Sequence, residues 1–386
     1  MEILRIEYQN INVFKEGLIV DFTTKDRVFE YSPVTKIYNT IHTNNVICLV
    51  GINASGKSVA LRLMNAAMQV ILENKGLNEL NFAPGIIKDG TILTIDFYVN
   101  ENFYRLTSEI KIENLNNRLE YYFNDEKIYN KSKSEIKNRK ELFDYSKKDP
   151  IYHRTDFEQN KLSLLKKYDS IISIITKDFY RPLLINFLSE TNHNMYMIPG
   201  KAKMEIINLF DDSIKELTKK EYSINVTFKN NSKYISDDFG EDLLSSGTIR
   251  GGNLLYYVKL VLNAGGILVI DELENHMNKR LIEIIIDLFE DKDINKKGAT
   301  LLFSTHYVEI LETIDRKDNI YLMLRDDDYV SRAVRYADKV SRNDVKKSDI
   351  LLSNYINGTS PKYENVEKLR EFMCKSMSEG ESSGEE

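Results

Sequence analysis

Residues 51–58 read Gly-Ile-Asn-Ala-Ser-Gly-Lys-Ser and satisfy the phosphate-binding pattern G-x-x-x-x-G-K-[ST] at every fixed position. Gly51 and Gly56 let backbone N–H groups turn inward around an anion with no Cβ in the way. Lys57 supplies a mobile ammonium for the β- and γ-phosphates, and the Ser58 hydroxyl is short enough to ligate Mg²⁺ where a helix begins. The flanks agree with this reading. Val46-Ile-Cys-Leu-Val50 has the length and apolar content of a buried strand, and Ser58 to Asn74 carries Val59, Leu63, Ala66, Ala67, Val70 and Ile71 at helical spacing. Strand, glycine loop and helix together make an ATP-binding site the expectation.

Composition bounds the rest. The 386 residues are 42% hydrophobic and 29% charged, which suits a soluble protein with one large domain and an insertion, or two domains. No run of eighteen apolar residues occurs and the N-terminus alternates charged with apolar residues, so neither a membrane span nor a secretory leader is expected. The expected location is cytoplasmic. Two cysteines, Cys48 and Cys374, fit a reducing compartment and lack metal-binding companions nearby in sequence. A net charge of −6 gives no overall attraction to nucleic acid, so DNA binding is possible but not indicated.

The alternation through residues 1–30 predicts a hairpin, and Thr91 to Val99, Phe103 to Glu113 and Arg118 to Phe123 predict an antiparallel layer, with turns at Pro84-Gly85 and Asp89-Gly90. From Lys131 the chain turns polar, then shows Leu162, Leu164, Leu165, Ile171, Ile172 and Ile175 at helical spacing. Residues 131–222 therefore read as a helical insertion. The Lys/Glu run in 131–148 suits a solvated helix face better than a nucleic-acid contact. Tyr222 to Phe228 is a strand by its β-branched content.

A second group of motifs follows. Leu244-Ser-Ser-Gly-Thr248 stands ahead of a helical pattern, so Ser246 and Gly247 lie at a helix N-terminus; the same residues also suit a plain helix cap. Gly266-Ile-Leu-Val-Ile-Asp-Glu272 places Asp271 and Glu272 at the C-terminal end of a buried strand, where one carboxylate can face Mg²⁺ and the other can activate water. Ala299 to Thr305 predicts a further strand that ends on His306. Asn319 to Leu324 and Tyr329 to Tyr336 predict two last strands, and Val366 to Met377 a helix before an acidic tail over 376–386 expected to be disordered.

The order of these motifs resembles the ATP-binding-cassette head, in the branch shared by SMC-type heads and the OLD-like "AAA family" ATPases of bacterial abortive infection and phage defence. Gly51 to Ser58, with Asn53, is similar to that branch's G-x-N-x-[SA]-G-K-S; Leu244 to Thr248 resembles its L-S-x-G-T; and Asp271 to Asn275 resembles its D-E-[IL]-E-N. Ser353 to Gly358 is a softer likeness to the segment that ends such domains.

The resemblance implies an α/β ABC-ATPase head with an antiparallel β layer and a helical insertion. Its parts would be 1–130 and 223–345 for the head, 131–222 for the insertion and 346–386 for a C-terminal helical segment and tail. Gly51, Asn53, Gly56, Lys57 and Ser58 would bind ATP, Ser58 and Asp271 would hold Mg²⁺, Glu272 would be the general base and His306 a switch residue. Ser246 and Gly247 would touch ATP held by a second copy, which implies a homodimer or higher homo-oligomer. No acidic array after residue 310 suggests a nuclease (TOPRIM) domain, so the output would pass to a separate effector or toxin. Two departures stand out: His276 to Lys279 differs from the branch's L-H-P continuation, and no glutamine takes the usual metal-linked place. A non-turnover ATP-bound scaffold that cages a toxin, or a DNA-end ATPase of SMC type, remain alternatives.

Overall fold

The computed structural model describes residues 1–80, 85–115, 118–158, 165–188, 195–236, 240, 242–275, 277–326, 330–340, 345–353, 356 and 363–381. Along the chain, β1 (Glu2–Ile11) and β2 (Leu18–Asp21) form a hairpin, β3 (Val34–Tyr38) and β4 (Ile41–Asn44) form another, and β5 (Val46–Val50) leads through the glycine loop into α1 (Lys57–Glu73). Then β6 (Ile87–Val99), β7 (Asn102–Leu115), β8 (Arg118–Ser132) and β9 (Tyr152–His153) join the first hairpin in an antiparallel sheet ordered β2-β1-β6-β7-β8-β9. After β10 (Leu184–Phe187), the strands β11 (Gly200–Lys201), β12 (Ile214–Lys220), β13 (Ser223–Phe228) and β14 (Lys233–Ser236) make a small antiparallel sheet. There follow α2 (Ser246–Ala264), β15 (Ile267–Ile270), α3 (Lys279–Glu290), β16 (Thr300–Thr305), β17 (Ile320–Arg325), β18 (Ser331–Arg335) and α4 (Tyr363–Glu381).

The central sheet runs β10-β15-β16-β5-β17-β18, with the first five strands parallel and β18 antiparallel. Its strands are short and apolar because both faces are covered. Alternate residues of β5 divide between two cores: Ile47 and Leu49 pack with α1 and the antiparallel layer, whereas Val46, Cys48 and Val50 pack with α2 and α3. Helix α1 is thus held between two sheets, and twelve of its residues are buried. Register aligns the strand ends. Thr305 pairs with Val50 and Ile270 with Phe303, so the segments that follow β5, β15 and β16 emerge on one edge, where parallel sheets hold ligands.

The described residues of 131–222 do not form a helical insertion. β8 runs on to Ser132, β10 is an edge strand of the central sheet paired with β15, and β11 and β12 belong to the small sheet. Helix among the described residues of this stretch is limited to short turns such as Arg139–Leu142, Ile172–Ile175 and Met204–Ile207. The helical spacing misled because a four-residue apolar strand carries too few positions to separate the two periods, and Leu162 and Leu164 lie outside the described residues. Asp89-Gly90 lies within β6, where Gly90 takes φ +77, and Pro84 is outside the described residues. At the other end, Ile350, Leu351 and Ile356 are buried in the same core as Ile282, Ile285, Ile286 and Phe289 of α3, so that core continues past residue 345. α4 continues to Glu381 through part of the stretch expected to be disordered; residues 382–386, and most of 353–358, lie outside the described set. No helix among the described residues is long and apolar enough to cross a membrane.

Helix α2 spans two cores. Leu244 and Ile249 pack with Ile214, Leu217, Ile224 and Val226 of the small sheet, while Leu254, Leu255, Val258 and Val261 pack on the central sheet. Gly251 sits between them, and a Cβ there would lie 2.0 Å from the Phe210 ring, so only glycine admits this approach. Asn253 ties the helix to the chain that follows β10: its Oδ1 accepts from the Met197 N–H at 2.9 Å and its Nδ2 donates to the Met195 carbonyl at 2.8 Å.

Glu290, the last residue of α3, carries a testable pH dependence. Burial foremost, with Asp315 and Asp287 nearby, raises its pKa from 4.5 to about 8, against Lys347 and the Asp315 N–H. A raised carboxyl pKa means that the folded state keeps a proton which the unfolded state loses. Stability therefore falls as pH rises from about 4.5 to about 8 and then levels. Glu290→Gln is expected to flatten that slope and to stabilise the protein by about 1–3 kcal/mol at pH 8, with little gain at pH 4.5, in urea titrations across pH.

Candidate nucleotide site at the sheet edge

The glycine loop is shaped by steric exclusion. A Cβ on Gly51 would meet the Met323 carbonyl oxygen at 2.3 Å, and Gly56 takes φ +96 with Phe14 and Ser331 close by. Ala54 also lies in the left-handed region, at φ +61. Successive left-handed turns of this sort direct N–H groups to one side and form an anion-binding concavity. Helix α1 begins at Lys57 with no side-chain cap and no acidic residue in its first turn, so its first amides are open to an anion. The Ser55 hydroxyl is fully buried and has no hydrogen-bond partner, and Asn53 is exposed on the loop. This donor set fits a nucleotide's phosphates.

Lys57 is folded back onto its own loop. Its Nζ donates to the carbonyls of Gly51 at 2.8 Å and Ile52 at 2.9 Å and lies 3.1 Å from His306 Nδ1. Burial lowers its pKa, opposed by Glu274 first and then by Asp271 and Glu272. On the other side of the imidazole, Nε2 is 3.1 Å from Glu272 Oε1. An ammonium can only donate, so Nδ1 accepts from Lys57 and the ring proton sits on Nε2, where it bonds the carboxylate. Lys57, His306 and Glu272 thus form one hydrogen-bonded chain.

The two carboxylates at the end of β15 are set by β16. Ser304, fully buried, donates from Oγ to Asp271 Oδ1 at 2.5 Å, and the same oxygen accepts the Glu272 N–H at 2.8 Å. Glu272 occupies the left-handed region at φ +50, a conformation unfavourable to a side chain that bears a Cβ. Asn275 Nδ2 donates to Glu272 Oε2 at 3.0 Å. Glu274 accepts the His306 N–H at 2.5 Å through Oε1, while its buried Oε2 has no partner. Among the described residues, no group of three or more His, Cys, Asp or Glu side chains is arranged to hold a metal ion.

Residues 51–58, Asp271, Glu272 and His306 therefore share one edge. Ser246 and Gly247 stand apart from them: they open α2, and no hydrogen bond among the described residues joins 244–248 to 51–58. Ser245 is the N-cap and accepts the Thr248 N–H at 3.1 Å, which leaves the amides of Ser246 and Gly247 as the helix's free first-turn donors. Sequence reasoning passed over Ser245 as the cap, Ser304, Glu274 and Asn275. Glu274 and Asn275 had a local signal, as the last two residues of the D-E-[IL]-E-N run.

Residues 46–312 match the family model described as "AAA domain, putative AbiEii toxin, Type IV TA system". The chain belongs to this AAA family. It is accordingly a P-loop ATPase of the AAA/ABC type found in abortive-infection systems, built on the mixed α/β head described above. Among solved structures, the SMC head domain from Thermotoga maritima is similar at 14% identity with a TM-score of 0.41, covering 87% of this chain and 99% of that one. No curated protein matches. Of residues 276–279, His276 lies outside the described residues, and Asn278 caps α3 by accepting the Leu281 N–H at 3.1 Å.

Proposed function

We propose that this AAA-family chain is an ATP-hydrolysing switch: ATP joins two copies head to head, hydrolysis releases them, and the joined state controls a separate effector in bacterial anti-phage defence. The observation that carries the reading is the Lys57–His306–Glu272 chain, which links the proposed phosphate-binding cation to the proposed general base through one imidazole.

In this reading Lys57 leaves the carbonyls of Gly51 and Ile52 for the β- and γ-phosphates, and Gly51, Asn53, Gly56 and the α1 N-terminus hold the rest of the polyphosphate. His306 then loses its ammonium neighbour and turns its Nε2–H from Glu272 toward the γ-phosphate. Glu272 takes a proton from the attacking water. Ser58 and Asp271 would hold Mg²⁺, which takes few protein ligands and completes its shell with phosphate and water; bound there it offsets the charge that develops on the phosphates. The first-turn amides of Ser246 and Gly247 reach ATP bound to the second copy, so one site needs two chains. The family's description names a type IV toxin–antitoxin system, which supports a second component working with this chain.

The test is association. Glu272→Gln protein with Mg²⁺ and ATP is expected to form a dimer by light scattering, and Gly247→Asp in that background is expected to remain monomeric while it still binds a fluorescent ATP analogue. A carboxylate at position 247 would face the phosphate and repel it. Association that is indifferent to ATP, or to the aspartate, sinks the proposed dimer.

A further inference from the structure

Arg250 lies one turn after Ser246 on α2, on the same side of the helix. Its Nε and Nη1 are shielded from solvent and have no hydrogen-bond partner. Burial alone lowers the guanidinium's pKa. It lines a cavity whose apolar walls include Phe187, Leu254 and Ile270 and whose polar walls include Glu272, Asn275 and Asn253. Glu272 is the sole acidic side chain among the residues that line this cavity.

Two shielded guanidinium nitrogens without partners oppose stability in this state, because the hydration they have lost is not replaced. Such a group is explained by another state in which a partner arrives. Both Glu272 oxygens are engaged here, Oε1 by His306 and Oε2 by Asn275. Once His306 turns away, Oε1 has lost its donor.

Resting on the reading of the site given above, we propose that Arg250 is a positioning residue that takes over Glu272 Oε1 when His306 releases it. The same helix presents Ser246 and Gly247 to the second copy's nucleotide. Engagement of that nucleotide seats α2, and α2 delivers the guanidinium to its own Glu272. The arrangement makes hydrolysis in each copy conditional on the nucleotide of the other, and it fixes the base in its ionised form through a charge-assisted bond.

The experiment uses the full chain with Arg250→Met and Arg250→Lys, measuring kcat and KM for ATP, thermal midpoint, and ATP-driven dimerisation in the Glu272→Gln background. Arg250→Met is expected to lower kcat by about 10–100-fold with KM within twofold, to leave dimerisation intact and to leave the midpoint unchanged or higher. Arg250→Lys is expected to recover part of kcat. An unchanged kcat overturns the inference, as does a midpoint that falls together with activity, which marks a structural role, or a KM that rises in proportion, which marks a phosphate contact. Glu272→Gln protein that turns over like the native chain sinks the reading of the site itself; inactive Glu272→Gln protein beside fully active Arg250→Met sinks only the role of Arg250.

Discussion

Glu272→Gln is expected to lower ATP turnover by about 10²–10⁴-fold while ATP remains bound. The substitution keeps the side chain's shape, so His306 Nε2 still finds an oxygen acceptor at the place of Oε1, and the Ser304 bond to the Glu272 backbone is untouched. What disappears is a group able to take a proton from water. Phosphoryl transfer depends on positioning and charge stabilisation more than on covalent chemistry, so a residual rate from the phosphate-binding groups is expected. Single-turnover phosphate release, with nucleotide content read by native mass spectrometry, separates slow chemistry from lost binding. Turnover within threefold of native would remove Glu272 from the role of base and leave the static ATP-bound scaffold as the better description.

The largest effect on stability is expected at Arg154. This side chain is 1% exposed and its Nη1 lies 2.7 Å from Oε2 of Glu126, itself 0% exposed, on β8. Arg154 also donates to the carbonyls of Asp169 at 2.9 Å and Lys166 at 3.0 Å. Glu126 accepts from the hydroxyls of Ser108 and Ser170 at 3.0 Å and 2.6 Å and from the Ile171 N–H at 3.0 Å. Arg154→Met breaks the pair and strands a buried carboxylate, which is expected to cost about 3–5 kcal/mol. Burial already raises the Glu126 pKa, with Ser170, Ile171 and Arg154 acting against it. Without the guanidinium the carboxyl takes up a proton more readily, so the loss is expected to be smaller at low pH. Urea unfolding of Arg154→Met and of Arg154→Met with Glu126→Gln checks this; a single variant no less stable than the double would show that the charge itself is unimportant.

How much of this was legible in the chain depends on range. The glycine loop and the strand ends at Asp271 and His306 are local patterns with fixed spacing, and the central strands announce themselves as continuous apolar runs because both faces are buried. The stretch 131–222 was misread because Leu184 to Phe187 is a strand only by virtue of its pairing with Ile267 to Ile270, eighty residues on. Lysines within β12 and β14 hid the small sheet in the same way, since one of its faces meets solvent. Ser304 enters the site through strand register, and Arg250 through the face of a helix that starts elsewhere. Neither leaves a mark in a short window of sequence.

Helix α2, seated at Gly251 against Phe210, has arms of unequal length. At about 1.5 Å of rise per residue, Ser246 lies about 7 Å to one side of that notch and Ala264 about 20 Å to the other. The short arm carries the free first-turn amides of Ser246 and Gly247; the long arm ends where Tyr180 donates to the Ala264 carbonyl at 3.2 Å and Lys297 to the Asn263 carbonyl at 2.7 Å. Leu254, Leu255, Val258 and Val261 key the long arm to the central sheet, so the short arm is a cantilever that rests through Ile249 on the small sheet alone.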